Sequence, residues 1–435
     1  MKEIEMLNKV IEEAKSAVSN IPSGFDKSSL SCTVNKEWAF DSFFFCDNMD
    51  AMSFLLADGF EGKLDLIYID PPFFTKDNYK RNIKLTANGQ KLTVKTRAYD
   101  DKWESLYDYL LFMTKRLFLM HRLLSERGSL YIHIDYRTSH YFRLILDDIF
   151  GKERFLNEII WAYKSGGTGR RSYSRKHDNI LVYTKTSKYI FSPLKEKSYN
   201  RGLAQYRFKG VKEYKDEKGW YTLVNLKDVW SIDMVGRTSS ERTGYETQKP
   251  LKLLNRIIEV STNADSIVAD FFLGSGTTAE AAIKLKRRFI GSDSSTTSQS
   301  TVSQRIFDIS KGFRLFSYKQ SPNNERLDIG FTIKREEDFI VIKIDSYIPK
   351  ADYIRQIIAS GFNPNAIIAD DYLLFIEQIS IIKTEETREI TEVFFRPNIP
   401  GEIFIKSDNL DDSNFEIEII DVFGNKDCYN LSDLE

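Results

Sequence analysis

Three cysteines are all that 435 residues contain, and Cys32, Cys46 and Cys428 are too scattered for a disulfide framework or a zinc pattern. No apolar run reaches the roughly 18 residues that a membrane-spanning helix requires. The first residues, MKEIEMLNKVIEEAKSAV, lack the basic start and apolar centre of a secretory signal. Internal repeats and low-complexity tracts are also missing. These absences exclude a disulfide scaffold and a membrane-spanning chain, and they make a reducing cytoplasm the expected compartment.

What is present is the composition of a globular protein, 42% hydrophobic and 29% charged, long enough for two or three domains. The net charge of −1 conceals two opposite regions. Between Trp161 and Pro250 there are 19 Lys and Arg against 9 Asp and Glu; from Ser321 to Glu435 there are 11 against 24. A polyanion would favour the first region and avoid the second, although both also fit solvated surfaces.

Hydrophobic periodicity supplies the architecture. Ile4, Leu7, Ile11, Ala14 and Val18 recur at helical spacing. The run Leu66–Ile69, closed by Asp70 and two prolines, reads as a buried parallel strand with its polar residue at the carboxyl end. A helical pattern over Leu106–Leu124, a strand in SLYIHID and a helix in YFRLILDDIF follow. From Lys164 to Glu246 the chain is basic and weakly periodic. Strand–helix alternation returns in LKLLNRIIEVS, SIVADFF, TTAEAAIKLK and RRFIGSD. Beyond Phe313, segments such as DIGFTIK, DFIVIKID and EIFIK predict a mostly β domain. The expected fold class is α/β with a parallel sheet. The expected divisions are 1–163, 164–244 as an insert, 245–312, and 313–435 as an acidic β-rich domain.

Two motifs carry chemistry. Asp70-Pro71-Pro72-Phe73 ends a strand. An exocyclic base amine is a poor nucleophile because its lone pair is delocalised into the ring. A carboxylate and a carbonyl accepting its two N–H groups would draw the nitrogen toward tetrahedral geometry, and two prolines fix the backbone that aims the carbonyl. The aromatic residue next in line offers an extruded base a stacking face. The same four residues also fit an ordinary strand end and proline turn.

The second motif, Asp270-Phe271-Phe272-Leu273-Gly274-Ser275-Gly276-Thr277-Thr278, lies between a predicted strand and helix. Glycines there let the backbone approach a ligand at a helix N-terminus, and Asp293, at the end of the next strand, can accept from ribose hydroxyls. A nucleoside cofactor fits; a structural tight turn is the alternative. The glycines are too few for a dinucleotide fingerprint, and the lysine of a phosphate-binding loop is absent. His133 has no His or Cys at ligand spacing, so no metal is expected.

With these motifs in this order, the chain resembles the β-class DNA amino-methyltransferases, and type III restriction-modification methylation subunits in particular. The similarity runs from about Phe44 to Asp293 through CDNMDAM, DLIYIDPPFFT, YDDKWESLYDYL, GSLYIHID, FLNEIIWAYKSGG, RKHDNILVYTK, YETQKP and the glycine motif; the tail IIDVFGN also resembles that group. The resemblance implies a Rossmann-like methyltransferase sheet, S-adenosyl-L-methionine as methyl donor and double-stranded DNA as substrate. Asp70 would accept from the target amine, the Pro71 carbonyl would assist, Pro72 would hold the turn, and Phe73 would stack on the base. Asp270, Phe272, Gly274, Ser275, Gly276 and Thr277 would form the cofactor loop, with Asp293 on the ribose and Asp47 and Lys249 lining the same pocket. The insert takes the place of a target recognition domain, with Arg170, Arg171, Arg175 and Lys176 suited to phosphate contacts.

Phe73 stands where most relatives carry Tyr, and Phe271 where most carry Pro. Asp rather than Ser before the prolines is the family's bias toward adenine N6. Cytosine N4 is the alternative target, and a non-catalytic DNA-binding subunit the alternative role. The acidic C-terminal domain is expected to bind protein, either a second copy or a restriction subunit.

Overall fold

The computed structural model describes residues 2–35, 40–87, 90–164, 171–207, 209–236, 238–307, 309–310, 312–318, 326–336, 339–359, 372–384, 387–406 and 414–434. Its centre is a 14-stranded mixed sheet. Six of those strands form a parallel block in the order Leu124–Ile134, Leu64–Ile69, Ile267–Asp270, Arg288–Ser292, Asp41–Phe45 and Phe313–Tyr318. Leu64–Ile69 and Ile267–Asp270 are neighbours, Leu66 opposite Val268, although some 200 residues separate them in sequence. Both predicted motifs therefore leave adjacent strands at the same carboxyl edge, where α/β sheets bind ligands.

The two faces of the block are covered by different helices, as a parallel sheet demands. Ile67 and Ile69 face one core with Leu7 and Val10 of Lys2–Val18, Met52 of Asn48–Ala57 and Met113 of Leu106–Leu123. Leu66 and Tyr68 face the other with Leu254, Ile257, Ala281 and Val302, from the helices Leu251–Ser261, Thr277–Lys284 and Thr296–Ile306. The expected N-terminal helix is present. Among the described residues no helix is long and apolar enough to cross a membrane.

The sheet extends further than the expected divisions. His177–Thr184 pairs antiparallel with Leu124–Ile134, and Val229–Ser231 pairs parallel with Phe155–Ala162, so these two strands of the basic stretch belong to the central sheet. What stands apart within 164–244 is a three-stranded sheet of Lys195–Tyr199, Glu213–Asp216 and Gly219–Asn225. Phe313–Tyr318, expected to open the C-terminal domain, pairs parallel with Asp41–Phe45. Edge pairing could not be read from period-2 alternation, which fixes faces and not neighbours.

The C-terminal region is mostly β, as expected. Arg388–Phe395 pairs with Leu30–Asn35 and carries the sheet into Ile376–Thr384, Phe415–Asp421 and Lys426–Asn430. A hairpin that the periodicity reading missed, Asn78–Ala87 with Gln90–Asp100, places Ile83, Leu85 and Leu92 in the C-terminal core. Arg81 reaches Glu377 at 2.6 Å with both side chains 5% exposed, and Arg396 pairs with the other Glu377 oxygen at 3.0 Å. Two guanidiniums hold the buried Glu377 carboxyl below its usual range despite desolvation.

Candidate active site

A cavity of about 1310 Å³ opens at the carboxyl edge of the parallel block, and Asp70, Gly274 and Asp293 all line it. Asp47, Pro72, Lys249, Asp270, Phe272, Ser275 and Thr277 line it as well. Pro71, Phe73 and Gly276 are not among the lining residues: Pro71 is buried, and the half-buried Phe73 ring sits 5.7 Å from that of His133.

Asp70 is held asymmetrically. Its Oδ2 accepts from Lys249 Nζ, whereas Oδ1 is buried without a hydrogen-bond partner among the described residues. His133 Nδ1 approaches Oδ1 only to 3.7 Å and is engaged by the Tyr68 hydroxyl at 2.9 Å. Lys249, expected with the cofactor residues, thus has its ammonium on the acid of the proline motif and 5.7 Å from the Phe73 ring centre. His133 is fully buried, with Nε2 3.3 Å from Asp178. His133 thus braces this corner.

The loop after the prolines is clamped by a residue that motif reasoning passed over. Asp101, fully buried, accepts from the Phe74 and Thr75 amides at 3.1 and 2.6 Å, from the Thr75 hydroxyl at 2.7 Å and from Trp103 Nε1 at 2.8 Å. Phe74 takes a φ of 59°, a conformation that side chains rarely adopt and that these bonds hold in place. The Tyr109 hydroxyl donates to the Pro72 carbonyl at 2.7 Å. Asp101 lies inside the quoted YDDKWESLYDYL segment, the one sequence signal that pointed toward it.

The glycine loop divides its labour. Gly274, at φ 52°, would bring an added Cβ no closer than 3.9 Å to its surroundings, so its bareness faces the cavity. Gly276, at φ 76°, would press a Cβ to 2.9 Å from Val302, so it serves helix packing. Ser275 and Thr277 are drawn together by Arg305, which donates to the Ser275 carbonyl at 2.7 Å and to Thr277 Oγ1 at 3.0 Å. Asp293 accepts from the Gly274 amide at 2.8 Å and the Ser295 amide at 2.9 Å, and burial pushes its carboxyl up to about 6. Asp47, also in the lining, caps Asn48–Ala57, and both its oxygens accept from Arg116 Nη2, at 2.9 and 3.1 Å. Burial lowers that guanidinium to about 10.

Asp270 is 2% exposed and accepts from the Thr278 hydroxyl and the Phe272 amide. Burial first, with Asp70 and Asp293 adding to it, raises its carboxyl from 3.8 to about 7. Between those values the folded chain retains a proton that the unfolded chain has lost, so ionised Asp270 weakens the fold as pH rises through the window. Asp270→Asn is expected to stabilise the protein at pH 8 by on the order of 2 kcal/mol and to change little near pH 4. Thermal melts at both pH values check this; equal loss of stability at both would refute it.

Of the basic residues expected on DNA, Arg170 lies outside the described residues. Arg171 and Arg175 are exposed, with Arg175 stacked 4.2 Å over the Tyr136 ring; Lys176 is half-buried. Ile134 pairs with Asn179, so this loop enters the sheet at the same edge as Asp70.

Comparison with known proteins supplies the family. The sequence pattern of the DNA methylase family matches residues 64–302, more than half of the chain. Type II methyltransferase M.EcaI of Enterobacter cloacae is 30% identical over 326 residues, spanning 61% of this chain and 69% of that protein. DNA adenine methyltransferase YhdJ of Escherichia coli K12 is 30% identical over 235 residues, spanning 52% and 71%. Among solved structures, the M1.HpyAVI–SAM complex aligns with a TM-score of 0.41 at 21% identity, over 61% of this chain and 98% of that one. On the match across residues 64–302 and the M.EcaI relationship, the chain belongs to the DNA methylase family.

Proposed function

We propose that this chain methylates adenine N6 in double-stranded DNA with S-adenosyl-L-methionine as donor. The observation that carries the reading is the shared cavity: Asp70, whose buried Oδ1 has no hydrogen-bond partner among the described residues, and Gly274, whose Cβ position is open, both line it. A nucleoside cofactor suits the residues present: Asp293, whose carboxyl is raised by burial to about 6, carries oxygens that can accept from ribose hydroxyls. Bound there, S-adenosyl-L-methionine would supply an electrophilic methyl group.

The chain's own residues do the rest. Lys249 holds Oδ2 so that Oδ1 accepts one N–H of the target amine, and the Pro71 carbonyl accepts the other. Both acceptors raise electron density on nitrogen without reorganising during the reaction. Phe73, backed by His133, stacks on a base that has left the duplex. Asp47, Phe272, Ser275 and Thr277 line the cofactor side, with Asp270 and Gly276 holding the loop from behind. Arg171 and Arg175 at the rim contact phosphates, and the sheet built from 195–225 reads the target sequence. Asp before the prolines and the name of the YhdJ relative favour adenine.

Plasmid DNA incubated with the protein and donor, then digested to nucleosides, is expected to yield N6-methyldeoxyadenosine. N4-methyldeoxycytidine alone would move the target to cytosine. No modified nucleoside, together with no calorimetric binding of donor, would leave a DNA-binding subunit.

A further inference from the structure

We propose that the C-terminal domain completes the cofactor pocket, its Asp421–Asn425 turn and Tyr353 forming the wall against the nucleoside half of the ligand; this rests on the methyltransferase reading above. Lys350, Tyr353, Phe423, Gly424, Asn425 and Lys426 of the C-terminal region line the same cavity as Asp70 and Gly274. The turn is built to hold its shape. Asp421, 1% exposed, accepts from the Phe423 and Asn425 amides at 2.9 and 2.7 Å, from Asn425 Nδ2 at 2.6 Å and from the Tyr347 hydroxyl at 2.7 Å. Four donors on one carboxylate make a rigid loop.

That loop is docked on the cofactor side. The Thr296 hydroxyl donates to the Gly424 carbonyl, and a Cβ on Gly424, whose φ is 84°, would lie 2.8 Å from Thr297 Oγ1. Thr296 and Thr297 follow Ser295, whose amide donates to Asp293. The turn therefore abuts the segment that presents the ribose acceptor. Glu418 in the preceding strand accepts from Gln299 at 3.1 Å and pairs with Lys426 at 2.7 Å, which fixes the approach.

The chemistry of the wall selects the ligand's end. Tyr353 and Phe423 stack with centroids 3.9 Å apart and planes 16° from parallel, and both border the cavity. Phe423, 5% exposed, lies between the Tyr353 and Phe375 rings, so the Tyr353 face turned away from Phe423 is the one left for a ligand. A flat aromatic face beside a ribose acceptor suits a purine ring. An aliphatic amino-acid chain gains nothing comparable there. The acidic domain thus turns one small, aromatic face toward the ligand.

The test titrates the full-length protein with S-adenosylhomocysteine and with 5′-methylthioadenosine, which keeps the nucleoside and lacks the amino acid. Tyr353→Leu retains bulk against Phe423 and loses the π face, and is expected to weaken both ligands by about tenfold. Tyr353→Phe should bind both within threefold of wild type, with the melting temperatures of all three proteins alike. A Tyr353→Leu change under threefold, or a loss confined to S-adenosylhomocysteine, overturns the nucleoside wall while wild-type binding keeps the methyltransferase reading intact. Wild-type protein that binds neither ligand removes that reading, and the wall with it.

Discussion

Asp70→Ala should lower the single-turnover rate of methyl transfer by about 10³-fold or more, while calorimetric donor binding stays within about threefold. Methyl transfer needs an acceptor aimed at the amine before the reaction begins, and removing one preorganised hydrogen-bonding group typically costs about 10²–10³ in rate. Asp70 is the group whose Oδ1 is buried and unpartnered among the described residues. Alanine also leaves the 12%-exposed Lys249 ammonium without its carboxylate, so some stability is lost with the rate. Asp70→Asn separates the two effects: it preserves volume, and its amide can still accept through oxygen but cannot neutralise Lys249. The asparagine variant, whose amide oxygen keeps a hydrogen bond to Lys249, should lose less stability than alanine and still lose at least about 10² in rate. A rate within tenfold of wild type for both variants would remove Asp70 from the reaction.

Lys249→Met should lower kcat by about 100-fold and leave the donor dissociation constant nearly unchanged. The amine touches Asp70 Oδ2 and, at 3.3 Å, the Thr247 carbonyl, so it orients the carboxylate from a rigid backbone position. Without that cation a carboxylate only 18% exposed has to find another partner, and rotation would turn Oδ1 away from the amine. The family resemblance placed Lys249 with the cofactor, which predicts the opposite split: a weaker donor affinity and an unaltered kcat at saturation. The measurement therefore decides between orienting the acid and holding the donor.

How far each role could be read in advance follows from its range along the chain. Asp70-Pro71-Pro72-Phe73 and the Gly274–Gly276 turn were legible because their chemistry is local: one residue type in one backbone conformation at one strand end. The helix Leu106–Leu123 was legible from spacing, and Ser105 caps it by accepting from the Asp108 amide. Asp101 was not, because a carboxylate 26 residues beyond Thr75 leaves no periodic trace of the amides it collects. The hairpin Asn78–Ala87/Gln90–Asp100 had a signal in its Asn88-Gly89 dipeptide, outside the described residues, flanked by alternating Ile83, Leu85 and Leu92.

The sequence by itself determined the family, the α/β character of the core, the two motifs that line the cavity and the β-rich C-terminal region. Those properties reside in short windows, where propensity and motif geometry act on neighbouring residues. Tertiary structure alone decided that Leu64–Ile69 lies beside Ile267–Asp270, that Lys249 meets Asp70, that Arg116 meets Asp47, and that Phe423 and Gly424 of the acidic region line the same cavity as Asp70. Each is a contact between segments tens to hundreds of residues apart. Burial and strand pairing choose such partners after the chain collapses, and local preference has no vote in that choice.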